Sequence, residues 1–505
     1  MLGKMIESGI IKFLEGLIGA VHGREQPQPD SSSRVTLGTV AHPFHPERFE
    51  KAFLDEESRM KHVYILGATG SGKTKLIESM IQQDIRVGRG FGLLDLHGDL
   101  SQNILKHLAF LLDNRDRAAF LEYLSEKLIL IEPFNQQGVI GFNPLEAKRA
   151  PPFSVAVELM AIFKKVWQGS HWGPRMEELL RNLFLTLSEN GLTLLEAPLL
   201  LTDSSFRDKM VQGLAPGEAR EYWLCRFNPL SESMKSVFRE PVLNRISVFT
   251  TDPAVRLMIG QVKSTIDFRQ IMDQGKWLII NLAKGHLREN IYLLGGLLIA
   301  KLKLAGLSRV DMPEQDRNPF YLFIDEFQNV IGENFETILS ESRKYGLSLT
   351  LSHQFLDQLP RELRSAILGN VSTEIFFRLS HHDASQISSE MDQKEKSLIE
   401  KRIIDLKTAQ AYLKIKGQKP RLLKTLYVPP IQVSDEALDE VKRASFRQWA
   451  RPVAEVEREI EERRSLWQRR EAGERLTPKM PEAKSPGDQE PLTPEGSFEE
   501  GQNEW

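Results

Sequence analysis

The chain has 505 residues, 41% of them hydrophobic and 27% charged, with 66 Lys+Arg against 69 Asp+Glu for a formal net charge of -3. This is the balance of a soluble globular protein with room for two or three domains, and it excludes a surface coated in base for static nucleic-acid binding. A single cysteine, Cys225, excludes a disulfide framework and a Cys-rich zinc site and fits a reducing, cytoplasmic compartment.

Residues 1–23 place Leu2, Ile6, Ile10, Phe13, Leu17 and Val21 at helical spacing, with Lys4, Glu7, Lys12 and Glu15 opposite. A membrane-surface helix carries a basic polar face. This one is balanced, so an amphipathic helix that packs on a partner or on itself is expected. Residues 24–57 are read as a linker and lead-in, opening on the polar run REQPQPDSSS.

Residues 58–150 follow a strand, loop, helix, strand rhythm. VYIL (63–66) precedes a Gly-rich loop, Leu76, Ile77, Met80, Ile81 and Ile85 mark a helix, and FGLLD (91–95) and LILIE (128–132) suit buried parallel strands. Such alternation predicts a doubly wound α/β core with a mainly parallel sheet. Residues 151–265 break the rhythm with helical patterns from Val155 to Val166, Met176 to Leu187 and Ser204 to Leu214, so an all-α insertion domain is expected.

The α/β rhythm resumes over 266–430 at WLIIN (277–281), YLFID (321–325), LSLTLS (347–352) and EIFFRLS (374–380). The longest apolar run, 291–307, is broken by Gly295, Gly296, Lys301 and Lys303. It falls short of the ~18 apolar residues that span a bilayer and reads as a core helix, so no integral membrane span is expected. Residues 431–470 form a charged helical extension. Residues 471–505 carry nine acidic and three basic side chains among Pro and Gly, which predicts a disordered acidic tail.

Gly67-Ala-Thr69-Gly70-Ser71-Gly72-Lys73-Thr74 fits G-x-x-x-x-G-K-[ST] between an apolar strand and an amphipathic helix. The glycines let backbone N–H groups converge on phosphate oxygens, and the helix start adds its dipole. Lys73 suits the β and γ phosphates of ATP, and the Thr74 hydroxyl suits Mg2+. Downstream, the strand ending in Asp325 and Glu326 supplies a carboxylate for the Mg2+ shell, Asp325, and a general base, Glu326, for an attacking water. Asp95, His97 and Asp99 are read as a strand end and a helix N-cap, with Asp99 as the cap. His42, His45, His381 and His382 are read as solvated loop residues. Lys284, His286 and Arg288 follow the strand at 277–281 and are either a DNA-gripping loop or a solvated turn.

GATGSGKT, LLDLHGDL (93–100), GFNPLE (141–146), FIDEFQN (323–329) and SESRKYGLSLTLSHQ (340–354) together resemble the TraG/TraD-type coupling ATPases of conjugation and type IV secretion, within the HerA/FtsK group of RecA-like P-loop motors. The resemblance covers about residues 58–430 and implies a RecA-like core, the all-α insertion, ATP and Mg2+ as cofactors, a homo-oligomeric ring such as a hexamer, and DNA in its channel. It assigns Gln354 to γ-phosphate sensing and Arg343 to a finger that reaches a neighbour's nucleotide. A cation near a helix end ahead of Gly346 is the other reading of Arg343, and Arg378 is the reserve finger.

The expected function is an ATP-driven DNA translocase acting as a coupling protein in conjugative or mobile-element transfer, with a relaxase or secretion-channel components as partners. Membrane-bound coupling proteins of this type carry N-terminal transmembrane helices, and residues 1–57 hold none. A cytoplasmic protein that meets the inner face of the membrane through partners is therefore expected. Two alternatives stay open: a HerA-like translocase that serves a nuclease in repair or phage defence, and an ATP-switched platform that recruits proteins. The segment SFEEGQNEW (497–505) is read as a solubilising tail or a docking motif.

Overall fold

The computed structural model describes residues 34–42, 45–136, 138–148, 150–166, 172–282, 290–330, 335–391 and 395–471. The expected helix at 1–23, the linker at 24–33, the candidate loop Lys284, His286 and Arg288, and the tail from 472 lie outside the described residues. The chain divides into a unit over 1–460 and a second over 461–505, of which 461–471 are helical.

The strands are β1 (Val35–His42), β2 (His45–Leu54), β3 (Val63–Leu66), β4 (Phe91–Asp95), β5 (Leu128–Ile131), β6 (Gly138–Val139), β7 (Trp277–Asn281), β8 (Phe320–Asp325), β9 (Leu347–His353), β10 (Thr373–Phe376), β11 (Gln410–Ile415), β12 (Arg421–Thr425) and β13 (Arg451–Pro452). Eleven of them form one sheet in the order β2-β1-β12-β11-β10-β3-β9-β8-β4-β7-β5. From β10 to β5 every pairing is parallel. From β2 to β10 every pairing is antiparallel.

Parallel strands covered on both faces need apolar side chains at every position. That is why VYIL, FGLLD, LILI, WLIIN and FYLFID are buried end to end. One face packs on α1 (Lys73–Val87), α2 (Asp99–Asp113) and α3 (Arg117–Lys127), whose Leu76, Ile77, Ile104, Leu108 and Leu124 enter the main core. Residues 151–265 contain helices and no strand among the described residues, led by α4 (Pro152–Val166), α5 (Pro174–Glu189) and α6 (Glu232–Thr251). The expected fold class, a RecA-like α/β core interrupted by helices, is the observed one.

Helix α7 (Asn290–Leu307) holds the long apolar run. By length and composition the stretch Ile291–Asp311 is apolar enough to cross a membrane, but 67% of its most apolar window is buried inside the protein. Its lysines are absorbed locally: Lys301 Nζ donates to Glu146 O at 2.6 Å, and Lys303 pairs with Glu158 at 2.7 Å. It is a core helix in this fold.

Three features differ from the sequence reading. Residues 35–54, read as lead-in, form β1 and β2 and extend the sheet. The helix Asp435–Trp449 in the charged extension packs on α2, α3 and β5, with Ala437, Val441 and Ala444 in the main core and Ser445 Oγ accepting from Leu130 N at 2.9 Å. His381 and His382 open the helix His381–Met391 rather than lying in a loop, and His42 and His45 pair across the β1/β2 hairpin.

Candidate nucleotide site

The phosphate loop leaves β3 and enters α1, at the C-terminal end of the parallel strands. Lys73 is the first residue of α1, and the cap position is Gly72 with φ +118, so no side chain competes for the first N–H groups of the helix. Gly67 is needed for space, since a Cβ there would sit 2.5 Å from Phe377 Cβ. Behind the loop, Ser71 O accepts from Ala409 N at 2.9 Å, and Ala68 N donates to Arg378 O at 2.9 Å. The loop is therefore braced by β10 and by the turn before β11. Ala409 itself has φ +65, an uncommon conformation for a residue with a Cβ.

Lys73 is 6% exposed, and its Nζ donates to Gly67 O at 2.6 Å and Ala68 O at 3.3 Å. Burial pushes its pKa down, while Glu326 and Asp325 oppose that by attraction. An ammonium held by two carbonyls beside two carboxylates is a cation waiting for an anionic ligand.

Asp325 ends β8, next to β9 and β4, and Glu326 follows it; they are 8% and 6% exposed. Burial, then the Glu326 charge, raises the Asp325 pKa, and the Lys73 charge offsets part of the rise. Glu326 has φ +51 and ψ +46, the left-handed region, which costs a residue with a Cβ about 1–2 kcal/mol. Consecutive strand residues point to opposite faces. The left-handed turn breaks that alternation and aims both carboxylates toward the phosphate loop.

Gln354 follows β9 and joins the two halves. Its Nε2 donates to Glu326 Oε1 at 2.9 Å, and its Oε1 accepts from Thr69 Oγ1 at 3.0 Å. Gln328 Nε2 holds the other carboxylate oxygen of Glu326 at 2.8 Å. The preceding residue, His353, is buried against Tyr64 with 2.6 Å between Nε2 and the phenol oxygen, and burial lowers its pKa to about 3. Beside this bridge opens a cleft lined by Ala68, Thr69, Gln354, Phe355, Asp357 and His382.

The residues present fit a nucleoside triphosphate with Mg2+. Half-buried Thr74 and buried Asp325 offer one hydroxyl and one carboxylate to the metal, the sparse protein ligation that suits an ion sharing its shell with phosphates and water. No group of three or more His, Cys, Asp or Glu among the described residues is placed to hold a metal alone.

Arg343 is not brought to this cluster. It is exposed in the turn Ser342–Tyr345 that precedes β9, beside His62 at the start of β3. It therefore lies at the opposite end of β9 from Gln354, roughly 20 Å away at about 3.3 Å per strand residue. Arg378 is exposed beside the phosphate loop through its backbone.

The cap on α2 is a correction. Asp99 is the first helical residue, and the cap position is Gly98. The capping acceptor is Asp95, whose carboxylate takes N–H bonds from His97 at 3.0 Å, Gly98 at 2.9 Å and Ser101 at 2.7 Å. Sequence reasoning missed this because a strand-end acid four residues before a helix is outside the usual cap spacing. It also missed the braces at Phe377 and Ala409, which carry no motif.

Residues 319–399 match the family described as the TraM recognition site of TraD and TraG. That stretch holds Asp325, Glu326, Arg343 and Gln354. Among solved structures, the plasmid coupling protein TrwB in complex with ADP and Mg2+ superposes with a TM-score of 0.56 at 17% identity, covering 82% of this chain and 99% of TrwB. The unbound monoclinic form of the bacterial conjugative coupling protein TrwBdeltaN70 gives a TM-score of 0.54 at 16% identity over 84% of this chain and 92% of that one. The fold is that of a TraG/TraD-type coupling ATPase. VirB4 of Thermoanaerobacter pseudethanolicus superposes with a TM-score of 0.50 at 12% identity over 78% of this chain and 96% of VirB4. No curated protein sequence matches the chain.

Proposed function

We propose that this chain is an ATP-hydrolysing motor that moves DNA, assembled as a homo-oligomeric ring such as a hexamer with the DNA in its channel, and that it acts as a coupling protein in conjugative or mobile-element transfer. The observation that carries the reading is the Thr69–Gln354–Glu326 bridge, which ties the phosphate loop to the catalytic strand. A static nucleotide-binding protein has no need of a relay between the two.

ATP with Mg2+ would supply the phosphoryl group to be transferred and the cation that balances its charge. Lys73 exchanges its two carbonyl partners for phosphate oxygens. Thr74 Oγ1 and Asp325 would hold the metal, while the backbone N–H groups of Gly70, Ser71 and Gly72 would bind phosphate alongside Gly67 and Thr69. Glu326 accepts the proton of the attacking water at a carboxylate oxygen. Gln354 reports the state of the γ-phosphate position to Glu326, since its Nε2 carries two N–H groups and can donate one to Glu326 and the other to a phosphate oxygen. Arg343 reaches the nucleotide of the neighbouring subunit, because its own site is at the far end of β9. A relaxase or secretion-channel component is the protein partner in this reading. The cytoplasmic placement with partner-mediated contact to the membrane belongs to the same proposal.

The test is steady-state ATPase activity with and without single- and double-stranded DNA, using Glu326→Gln as the blank. Stimulation by DNA that vanishes in the variant is expected. Slow hydrolysis indifferent to DNA, with nucleotide still bound, would replace the motor by an ATP-switched recruitment platform.

A further inference from the structure

The antiparallel wing of the sheet has two unlike faces. Toward α1 it presents Val35, Leu37, Val40, Ala52, Leu54 and Leu423, all in the main core. On the other face the cover ends part-way across. Phe376 and Tyr412, paired between β10 and β11, are 0% and 4% exposed, whereas Leu422, opposite Tyr412 on β12, is 45% exposed. Among the described residues, this face is open from β12 through β1 to the edge strand β2.

Its composition is unusual for an open sheet face. Along β2, Phe49 (67% exposed), Lys51 and Phe53 (39% exposed) alternate outward, each about 7 Å from the next. The register sets Lys51 opposite Thr39 on β1, Thr39 opposite Lys424 on β12, and Lys424 opposite Gln410 on β11. Two lysines and two polar residues thus form one row across four strands, at right angles to the aromatic line. Neither Lys51 nor Lys424 has an ion-pair partner among the described residues. The adjacent acid, Glu50, is on the opposite face and is paired with Arg421 at 2.8 Å. The face is fixed rather than pliant: β1 bulges at Gly38, where a Cβ would lie 2.0 Å from Lys424 O, so the strands there are in backbone contact.

We propose that the open face of the β2-β1-β12 wing is a stacking platform for single-stranded DNA. Exposed rings on a rigid sheet stack on unpaired bases whatever their identity, and interleaved lysines hold the phosphates between them. A duplex hides the π-faces of its bases, so the aromatics select the unpaired strand. The positive row, with no acid among the described side chains of this face, favours a polyanion over a protein partner or a second copy of the chain. The inference deepens the DNA-motor reading, on which it rests for the choice of DNA as the polymer. It adds a surface outside the nucleotide cluster, on the far side of β10 and β11 from Asp325 and Glu326.

The experiment is fluorescence anisotropy of a labelled oligo-dT and of a labelled duplex, titrated with the full chain across a salt series. The variants are Phe49→Ala/Phe53→Ala and Lys51→Ala/Lys424→Ala, with sedimentation velocity on each. All four side chains are exposed, so the variants fold. We expect the aromatic pair to weaken oligo-dT binding by about tenfold per ring, with duplex binding and DNA-free ATPase activity unchanged. The lysine pair should reduce the slope of log affinity against log salt by about 1.4. Wild-type affinity in both variants, with DNA-stimulated hydrolysis intact, would overturn the platform and leave the motor standing. Loss of assembly in the aromatic variant at unchanged oligo-dT affinity would make the face a contact between copies and overturn the platform too. If the wild-type chain binds no DNA of either form, the platform and the motor reading fall together.

Discussion

Gln354 and Glu326 are joined by a 2.9 Å hydrogen bond from Nε2 to Oε1, although they leave different strands and lie 28 positions apart in the chain. The same amide accepts from Thr69 on the phosphate loop. Glu326 is thus oriented by a residue that also contacts the phosphate loop, and it sits in a left-handed turn that is strained for a residue with a Cβ.

Gln354→Ala should therefore separate binding from turnover. Removing one positioned group of this kind lowers turnover by about 100-fold. Nucleotide affinity, set by Lys73 and the loop backbone, should hardly move. Titration of a fluorescent nucleotide beside kcat and KM measurements gives the split. An equal loss of affinity and turnover would mean that Gln354 only shapes the loop.

Arg343 should behave as a residue owned by the neighbouring site. Arg343→Ala should reduce hydrolysis by about 1,000-fold or more, the magnitude of an arginine finger. Mixed with wild-type chains, it should depress activity by more than its share of subunits. A strictly proportional fall on mixing would place the finger elsewhere, with Arg378 next to be tested.

Stability should fall as the solution is acidified from neutrality. His62 is buried, with Nε2 on Leu339 O and Nδ1 accepting from Leu349 N, both at 3.0 Å, which fixes the neutral tautomer. Burial lowers its pKa to about 4, and His107 and His353 are likewise lowered, to about 4 and about 3. A lowered histidine pKa means that the unfolded chain binds more protons, so stability is full above the ordinary value near 6.5 and is lost as pH falls toward 4. The loss is on the order of 3 kcal/mol for His62. Urea midpoints measured at about pH 7.5, 6 and 5 should fall in that order. His62→Gln should flatten part of the trend.

The buried pair behind α1 should be sensitive to losing one partner and tolerant of losing both. Arg59 and Asp84, 1% and 0% exposed, meet at 2.7 and 2.5 Å, and the guanidinium lies 3.5 Å from the centre of the Tyr321 ring. Asp84→Ala strands a buried cation and should cost about 3–5 kcal/mol. Arg59→Met with Asp84→Leu should cost far less, as calorimetric or urea unfolding would measure.

Much of the α/β core was legible in the sequence, because a strand buried on both faces must be apolar without interruption. FGLLD and WLIIN match β4 and β7 residue for residue, and VYIL matches β3. The phosphate loop was legible for a similar reason, since close backbone approach and positive φ demand glycine at fixed intervals. The wing was not. Phe49, Lys51 and Phe53 alternate with Glu50, Ala52 and Leu54, so β2 shows no apolar run and no apolar–polar alternation that points to a buried face.

At the nucleotide cluster, Lys73, Thr74, Asp325 and Glu326 came from local pattern and order, which are properties of the chain alone, and Gln354 came from the resemblance to the TraG/TraD-type ATPases. That Gln354 spans Thr69 and Glu326, that Asp95 rather than Asp99 caps α2, and that Arg343 lies a strand's length from its own phosphate loop were decided by tertiary structure. Those relationships depend on which strands become neighbours, and parallel neighbours are joined by long crossovers whose pairing no local pattern encodes.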